Sequence, residues 1–418
     1  MMRRRSFLGA LPAPLLAQVP VRKKILLRTG WQMRNIGDVC FTPAMLGALG
    51  RFIPEADVTC WAANIDESGR KLIRRDFPQA KFLDGRINEP GKPTPRQLQS
   101  AFEQMDLFLY NSGMVINYGL HGTHDWERTL GSVTPLYLAG NLGKPYGTWA
   151  QTFDTFDPPS PIVLRRVLSD AKFLFTRDSI SIGILKDAGI QGPHIAFAPD
   201  IAFQYRQRND AAADAYLKSV GLERGKFLVA IIHYAVLDRP GVRERGAEYV
   251  QKMREVLIRW VRETKLPILI APEDDREITL GKEQLIDSMP ADVKPFLKLR
   301  ETFWLPDEAL SVFLASRTMF NMEPHGNIMA LANGLPCLHC FEWAFGKKAQ
   351  MFSDIGLGEW AFHLASATPA EMGDALLAVH RDYAAAQRKR ERGMSMVERK
   401  TREGFGVIRR AMGLGALA

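Results

Sequence analysis

Short apolar runs of strand length alternate with amphipathic helical stretches along nearly the whole chain, and this rhythm narrows the possible folds more than any other feature. Strands buried on both faces need helices above and below them, which is the build of a parallel sheet. The expected class is therefore α/β. In the first half, strands are expected at residues 24–29, 57–62, 106–111, 172–177 and 194–198, with a helix at 39–52. Residues 206–225 turn polar around an Ala-rich helix, carry Gly221 and Gly225 near its end, and read as a linker. The rhythm then restarts, with strands at 227–233 and 267–271 and a helix at 249–264. Thr368-Pro369-Ala370-Glu371 combines an N-cap, a first-turn proline and an acid at the third helical position, so it opens a helix, and charged helical sequence continues to about Met412. The expected division is an N-terminal α/β domain over 18–205, the linker, a C-terminal α/β domain over 226–367 and a helical segment over 368–418. Two Rossmann-like domains with a terminal helix able to cross back to the first imply a ligand cleft between them, beyond the carboxyl ends of the strands.

With 46% hydrophobic and 24% charged residues over 418 positions, the chain is neither disordered nor a small disulfide scaffold. The longest apolar run lies at the N-terminus and falls short of the roughly 20 residues of a membrane-spanning helix, so no stable span is expected after its removal. That run follows Arg3-Arg4-Arg5-Ser6-Phe7-Leu8 and ends near Ala17, the layout of a secretory signal over 1–17. The Arg4-Arg5-Ser6-Phe7-Leu8 string resembles the twin-arginine type, which implies an exported, periplasmic protein; a tail or misassigned start would leave it in the cytoplasm. Cleavage would lower the formal charge from +9 to +6. Much of this excess lies between Arg388 and Lys400, interleaved with acids, which reads as a solvated helix face and not as a nucleic-acid footprint. Cys337 and Cys340 sit in an apolar strand-like run with no second pair for zinc, and read as buried, inert thiols. Cys40 and Cys60 could pair after export.

Chemistry-bearing residues cluster at the expected strand ends. Asn35-Ile36-Gly37-Asp38 follows the first strand and opens a helix, a natural anion seat, although a plain turn capped by Asp38 would look the same. Asn111-Ser112-Gly113 ends another strand, where small polar residues leave room for a ligand. His121-Gly122-Thr123-His124-Asp125 has no strong metal spacing, and no metal site is expected. Trp126 and Trp149 either face a sugar or fill the core. Arg177 leaves a strand end toward the cleft, where it can hold a carboxylate or phosphate bidentately or pair with a neighbouring acid such as Asp178. Asp200 ends the next strand. His325, at a helix start beside Glu323, suits general acid/base work, or serves as a cap or buried imidazole; Lys347-Lys348 supplies cations downstream.

In this order the strings resemble the polysaccharide pyruvyl transferase family over roughly residues 24–360. Asn35-Ile36-Gly37-Asp38 is similar to its G-N-x-G-D loop, and Arg177-Asp178 with Ser181, Leu185 and Gly189 to its R-D-x-x-S-x-x-x-L-x-x-x-G block. Asp200-Ile201-Ala202-Phe203 resembles its D-x-A-F strand end, and His325-Gly326 with Ala330 and Gly334-Leu335-Pro336 its R-L-H-x, small-residue helix and G-x-P; Lys347 matches a later lysine. The resemblance implies a GT-B-like, two-domain enzyme with no cofactor. Such enzymes move the pyruvyl group of phosphoenolpyruvate, or of a similar anionic donor, onto a glycan acceptor as a ketal. It implies that His325 with Glu323 is catalytic and that Arg177, Ser181, Lys347, Asn35 and Gly37 bind the donor. Asp38, Asn111, Ser112 and Trp149 would then face the acceptor. Where the family places Arg before Leu-His, this chain has Glu323-Pro324, and Arg34 stands for the first glycine of the loop. Two further readings stay open on Glu323: a GT-B-like glycosyltransferase with another donor, and a non-catalytic periplasmic glycan-binding protein.

Overall fold

The computed structural model describes residues 22–62, 64–87 and 93–416, so the 1–17 signal expectation lies outside the described residues. The first domain is built on β1 (Lys23–Arg28), β2 (Ala56–Trp61), β3 (Lys81–Leu83), β4 (Leu107–Tyr110), β5 (Tyr146–Gln151), β6 (Phe173–Thr176) and β7 (His194–Phe197). They form one sheet in the order β3-β2-β1-β4-β5-β6-β7, with every pair parallel. The second domain uses β8 (Leu228–Ile231), β9 (Ile268–Ile270), β10 (Leu297–Leu299), β11 (Thr318–Asn321), β12 (Cys337–Phe341) and β13 (Ala361–His363). Their order is β10-β9-β8-β11-β12-β13, again all parallel. Every residue of β4, β6, β8, β11 and β12 is buried, as strands covered on both faces by helices must be.

Both sheets reverse their strand order beside their first strand, between β1 and β4 in one and between β8 and β11 in the other. Loops leaving adjacent strands there diverge to opposite faces and open a crevice at the carboxyl ends. The helix Ile36–Phe52, which begins three residues earlier than the apolar pattern indicates, follows β1 at one crevice; the helix Pro324–Ala332 follows β11 at the other. The two helices pack on each other, so the crevices face.

The C-terminal helix Tyr383–Ala411 returns to the first domain, as its length allows. Phe405 stacks on Phe52 at 4.9 Å and on Trp149 at 4.4 Å, and Arg409 binds Glu55 through two nitrogens, each at 2.9 Å. The stretch 206–225 holds the helix Asp210–Val220, which docks on the helix Pro306–Ala315 and is closed by Gly221 in the left-handed conformation at φ 70°. All four cysteines are buried and free, so Cys40 and Cys60 are not bonded to each other. Among the described residues no helix is long and apolar enough to cross a membrane.

Candidate active site

A cleft of about 980 Å³ opens where the two sets of strand ends meet, lined by Asn35, Asp38 and Arg177 from one domain and His233, Asp274, Glu323 and His325 from the other. The first wall is the turn after β1. Asn35 caps the helix by accepting from the backbone N–H of Gly37 at 2.8 Å and of Asp38 at 3.4 Å. The same turn crosses to the second domain: the Ile36 N–H donates to the Glu273 carbonyl at 2.9 Å, the Asp275 N–H to the Arg34 carbonyl at 3.0 Å, and Arg34 pairs with Asp275 at 2.8 Å. Arg34, which stands where the resembling loop has glycine, is therefore an interdomain clasp. Asp38 accepts from the Gln32 amide. Burial pushes its pKa up, against the Gln32 bond and the positive field of His325, Lys348 and Arg177.

The second wall centres on His325. Its Nδ1 lies 2.7 Å from Glu273 Oε1, while Glu273 Oε2 accepts the Gly326 N–H at 2.7 Å. A carboxylate oxygen only accepts, so this pairing assigns the proton to Nδ1 and leaves Nε2 with its lone pair. Nε2 is buried without a hydrogen-bond partner, and His325 lines the cleft. The ring is wedged between the Phe41 edge, 5.4 Å between centres, and Gly37, where a Cβ would lie 2.4 Å from His325 Cγ. Gly37 thus lets one domain's helix start close directly over the other's imidazole.

Glu323 is buried with its oxygens 3.1 Å from His233 Nε2 and 3.7 Å from Lys348 Nζ. His233 Nδ1 accepts the Ala235 N–H at 3.0 Å, so its Nε2, 3.1 Å from Glu323 Oε1, is the nitrogen that carries the proton. Burial first, then the charge of Lys348, holds His233 well below the usual imidazole range, and its ring stacks on Phe345 at 4.0 Å. Burial raises the Glu323 carboxyl, opposed chiefly by Lys348. Glu277 sits behind, accepting from the backbone of Glu273, Asp274 and Tyr234; burial, then the charges of Glu323 and Glu273, pushes its carboxyl well up. Glu273, Glu323 and His325 bring one ligand atom each within 4.8 Å of one another. A cation there would have to displace the bonds that Glu273 already makes with both oxygens, so the set is built first as a hydrogen-bonded dyad.

The cleft therefore gathers Asn35, Asp38, Arg177, Glu323 and His325, and Gly37 packs beneath the imidazole. Besides Gly37, five expected residues do not reach the lining. Trp149 is 0% exposed, sealed between Phe175 and Phe405 under the C-terminal helix; its apolar face fills core instead of meeting sugar. Asn111 lies under the floor, donating to Thr29 Oγ1 at 3.0 Å and the Phe41 carbonyl at 3.1 Å, and Ser112 Oγ accepts the Ile201 N–H at 3.2 Å. Ser181 is spent on the backbone of Phe153, where Oγ is 3.0 Å from both N and O. Lys347 donates its N–H to Asp154 at 3.1 Å, and it is the next residue, Lys348, that lines the cleft. Arg177 does line it, yet its guanidinium already pairs with Asp200 at 2.7 Å and donates to Thr152 Oγ1 at 2.7 Å. Sequence reasoning passed over Glu273 and His233 as site residues, and named Lys348 only with Lys347 as a cation near the cleft. The first two carry a signal in hindsight, being polar side chains at the carboxyl ends of β9 and β8.

Comparison with known proteins agrees with this geometry. The family model for polysaccharide pyruvyl transferase matches residues 35–344. No curated protein matches the chain. Among solved structures, a protein described as a UDP-N-acetylglucosamine 2-epimerase from Listeria monocytogenes is 12% identical, with a TM-score of 0.58 over 93% of this chain and 96% of that one. MnaA of S. aureus, solved with UDP, is 12% identical with a TM-score of 0.55 over 94% and 98%. Anabaena HepE, solved with UDP-glucose, is 10% identical with a TM-score of 0.53 over 92% and 96%. At such identities the likeness is one of fold: two Rossmann-like domains of GT-B type around a cleft.

Proposed function

The chain belongs to the polysaccharide pyruvyl transferase family, and from that premise we propose that it moves the pyruvyl group of phosphoenolpyruvate onto a sugar of a cell-surface or exopolysaccharide as a ketal. The observation that carries the reading is His325, held by Glu273 through Nδ1 and presenting an unpartnered Nε2 where the two domains meet. Ketal formation needs a base for the sugar hydroxyls, an acid for the enol carbon and cations for the departing phosphate. In this reading His325 Nε2 takes the proton of an attacking hydroxyl. As an imidazolium still bonded to Glu273 it returns that proton to the donor methylene, which becomes the methyl group. A second sugar hydroxyl then bonds to the carbon that took the first as that carbon's bond to the phosphate oxygen breaks, closing the ketal, and the hydroxyl proton leaves with the phosphate. Lys348 and Arg177 take the donor's anionic groups, and Asp38 faces the acceptor.

Glu323, standing where the resemblance calls for a cation, is the feature that argues for another donor. In the structure Lys348 Nζ lies 3.7 Å and His233 Nε2 3.1 Å from its oxygens, so the wall does not present a bare carboxylate to phosphate. That supports retaining phosphoenolpyruvate. Export through the Arg4-Arg5 segment is proposed from the sequence alone.

The test is incubation of the purified chain with carbon-labelled phosphoenolpyruvate and cell-envelope glycan, with inorganic phosphate and acid-labile label on the glycan measured together. Equal release of phosphate and gain of ketal are expected, and both vanish in His325→Ala. Label transfer from a UDP-sugar and none from phosphoenolpyruvate would overturn the donor assignment.

A further inference from the structure

At the first-domain end of the same cleft lies a positive pair with no counter-charge among the described residues. Arg28, the last residue of β1, has its guanidinium carbon 4.8 Å from the Trp31 ring centre and 4.6 Å from that of Trp61. One nitrogen, Nη1, is anchored on the carbonyls of Thr29 at 2.9 Å and Trp61 at 3.1 Å. The rest of the fork is left for the cleft, which Arg28 lines together with Arg86. Among the described residues Arg86 donates only to Asn64 Oδ1, at 3.3 Å, and Asn64 in turn donates to the Trp31 carbonyl at 2.8 Å. Among the described residues no carboxylate pairs with Arg28 or Arg86. Trp31 also stacks on Tyr110, 5.4 Å between centres, and both rings line the cleft.

This pair is separate from the cations at the imidazole. The positive charges acting on Asp38 are His325, Lys348 and Arg177, whereas the charge of like sign acting on Arg28 is Arg86. Two arginines held within reach of each other repel, and one of them is packed between indoles that shield it from water. An arrangement of this kind is completed by an anion from outside. Trp31, which lines the cleft beside the two arginines, adds apolar surface for the C–H side of a sugar, while Tyr110 stacks beneath it and is itself buried.

We propose that Arg28 and Arg86, with Trp31 beside them, form an acceptor subsite for a glycan carrying a negative group, a carboxylate or a phosphate or sulfate ester, on the sugar that is modified or on its neighbour. The inference rests on the transferase reading and names its acceptor class. A neutral sugar would leave both guanidinium forks facing the cleft without a partner. An acidic one receives charge-assisted bonds from a rigid pair, so selection for charge follows.

The test uses three matched oligosaccharides that differ at one position, a hydroxymethyl, a uronate and a phosphate ester, each measured both for binding by calorimetry and as acceptor with phosphoenolpyruvate. The full chain is expected to bind at least one charged form about ten- to a hundredfold more tightly than the neutral form. Arg86→Gln, at an exposed residue that folding does not need, is expected to remove most of that preference, and Arg28→Lys, which keeps the charge but loses the fork, to reduce it. The uronate and phosphate arms decide which group fits. Equal binding of all three sugars, or a preference untouched by Arg86→Gln, overturns the proposal, as does an Arg86→Gln effect confined to the KM for phosphoenolpyruvate. Charge-selective binding without pyruvyl transfer would sink the transferase reading and leave this subsite standing.

Discussion

Replacing Glu273 by Gln keeps the shape of the dyad and inverts its polarity. Glu273 accepts twice, from His325 Nδ1 and from the Gly326 N–H, at 2.7 Å each. A glutamine has one acceptor oxygen and one NH₂, so it can satisfy only one of these donors. Turning the NH₂ toward Gly326 would set two buried donors against each other, at a cost of about 1–3 kcal/mol. The favoured arrangement gives the oxygen to Gly326 and points the NH₂ at Nδ1, which must then accept. The proton moves to Nε2, and the free lone pair of that buried, unpartnered atom is gone. Since a positioned general base contributes about 10²- to 10⁴-fold, kcat for phosphate release should fall by that factor, with the KM for phosphoenolpyruvate little changed. Exchanging a charged for a neutral acceptor should lower stability by about 1–2 kcal/mol, visible as a small drop in Tm and not as unfolding. If Glu273→Gln keeps kcat within about threefold of the parent while folding normally, the dyad does not set the tautomer and the reasoning fails.

Gly37→Ala should cost activity more than stability: alanine suits the first turn of a helix, but its methyl would fall 2.4 Å from His325 Cγ, so the imidazole must shift. Parallel measurement of kcat and of the denaturation midpoint checks this. Gly404→Val should do the reverse, lowering the midpoint by about 1–3 kcal/mol through overpacking, because even a Cβ there meets the buried Trp149 ring at 2.8 Å, while turnover per folded molecule is kept. Arg177→Ala strips the counter-charge from Asp200, which is 0% exposed, so a loss of about 3–5 kcal/mol should accompany any loss of donor binding. Adding Asp200→Ala should restore part of that stability and none of the donor affinity, as urea titration and the KM for phosphoenolpyruvate would record.

What could be read from the sequence follows the range over which each signal acts. Strand and helix identity is local, so the alternation placed β1, β2, β4, β6, β7, β8 and β9, and the Thr368 capping box located a helix start that is present with both of its hydrogen bonds. The three-residue strands β3, β10 and β13 lack the wholly apolar run that marks the equally short β9. In β5, Gly147 and Gln151 break the apolar run, and β11 is masked by the apolar helix just before it. Among site residues, those that carry a loop motif at a strand end, Asn35, Asp38, Arg177 and His325, arrive together. Motif spacing does not report which side of a backbone faces the cleft: Ser181 turns back to Phe153, and of two adjacent lysines only Lys348 enters. Trp149 shows the same limit in another form, because the cover that buries it comes from a helix more than two hundred residues downstream. Glu273 is invisible for that reason too. Its partner lies 52 positions away, and only the adjacency of β9, β8 and β11 in the sheet brings them together.

The exchange of an expected arginine for Glu323 is best understood as part of this second-domain cluster and not as a lone substitution. Glu323 is placed where burial alone would drive its carboxyl neutral, and where Glu273 and Asp274 add to that pressure; Lys348 and His325 oppose it. His233 lies beside it, Nε2 3.1 Å from Glu323 Oε1, with its other nitrogen committed to the Ala235 N–H. Glu323 therefore fixes the position of a lysine at the cleft edge in the way an ion pair fixes any flexible cation, with Lys348 Nζ held 3.7 Å from the carboxylate. Arg177 is held in the same way by Asp200 on the facing wall, so Lys348 and Arg177, one from each domain, each line the cleft with a buried carboxylate that sets its place.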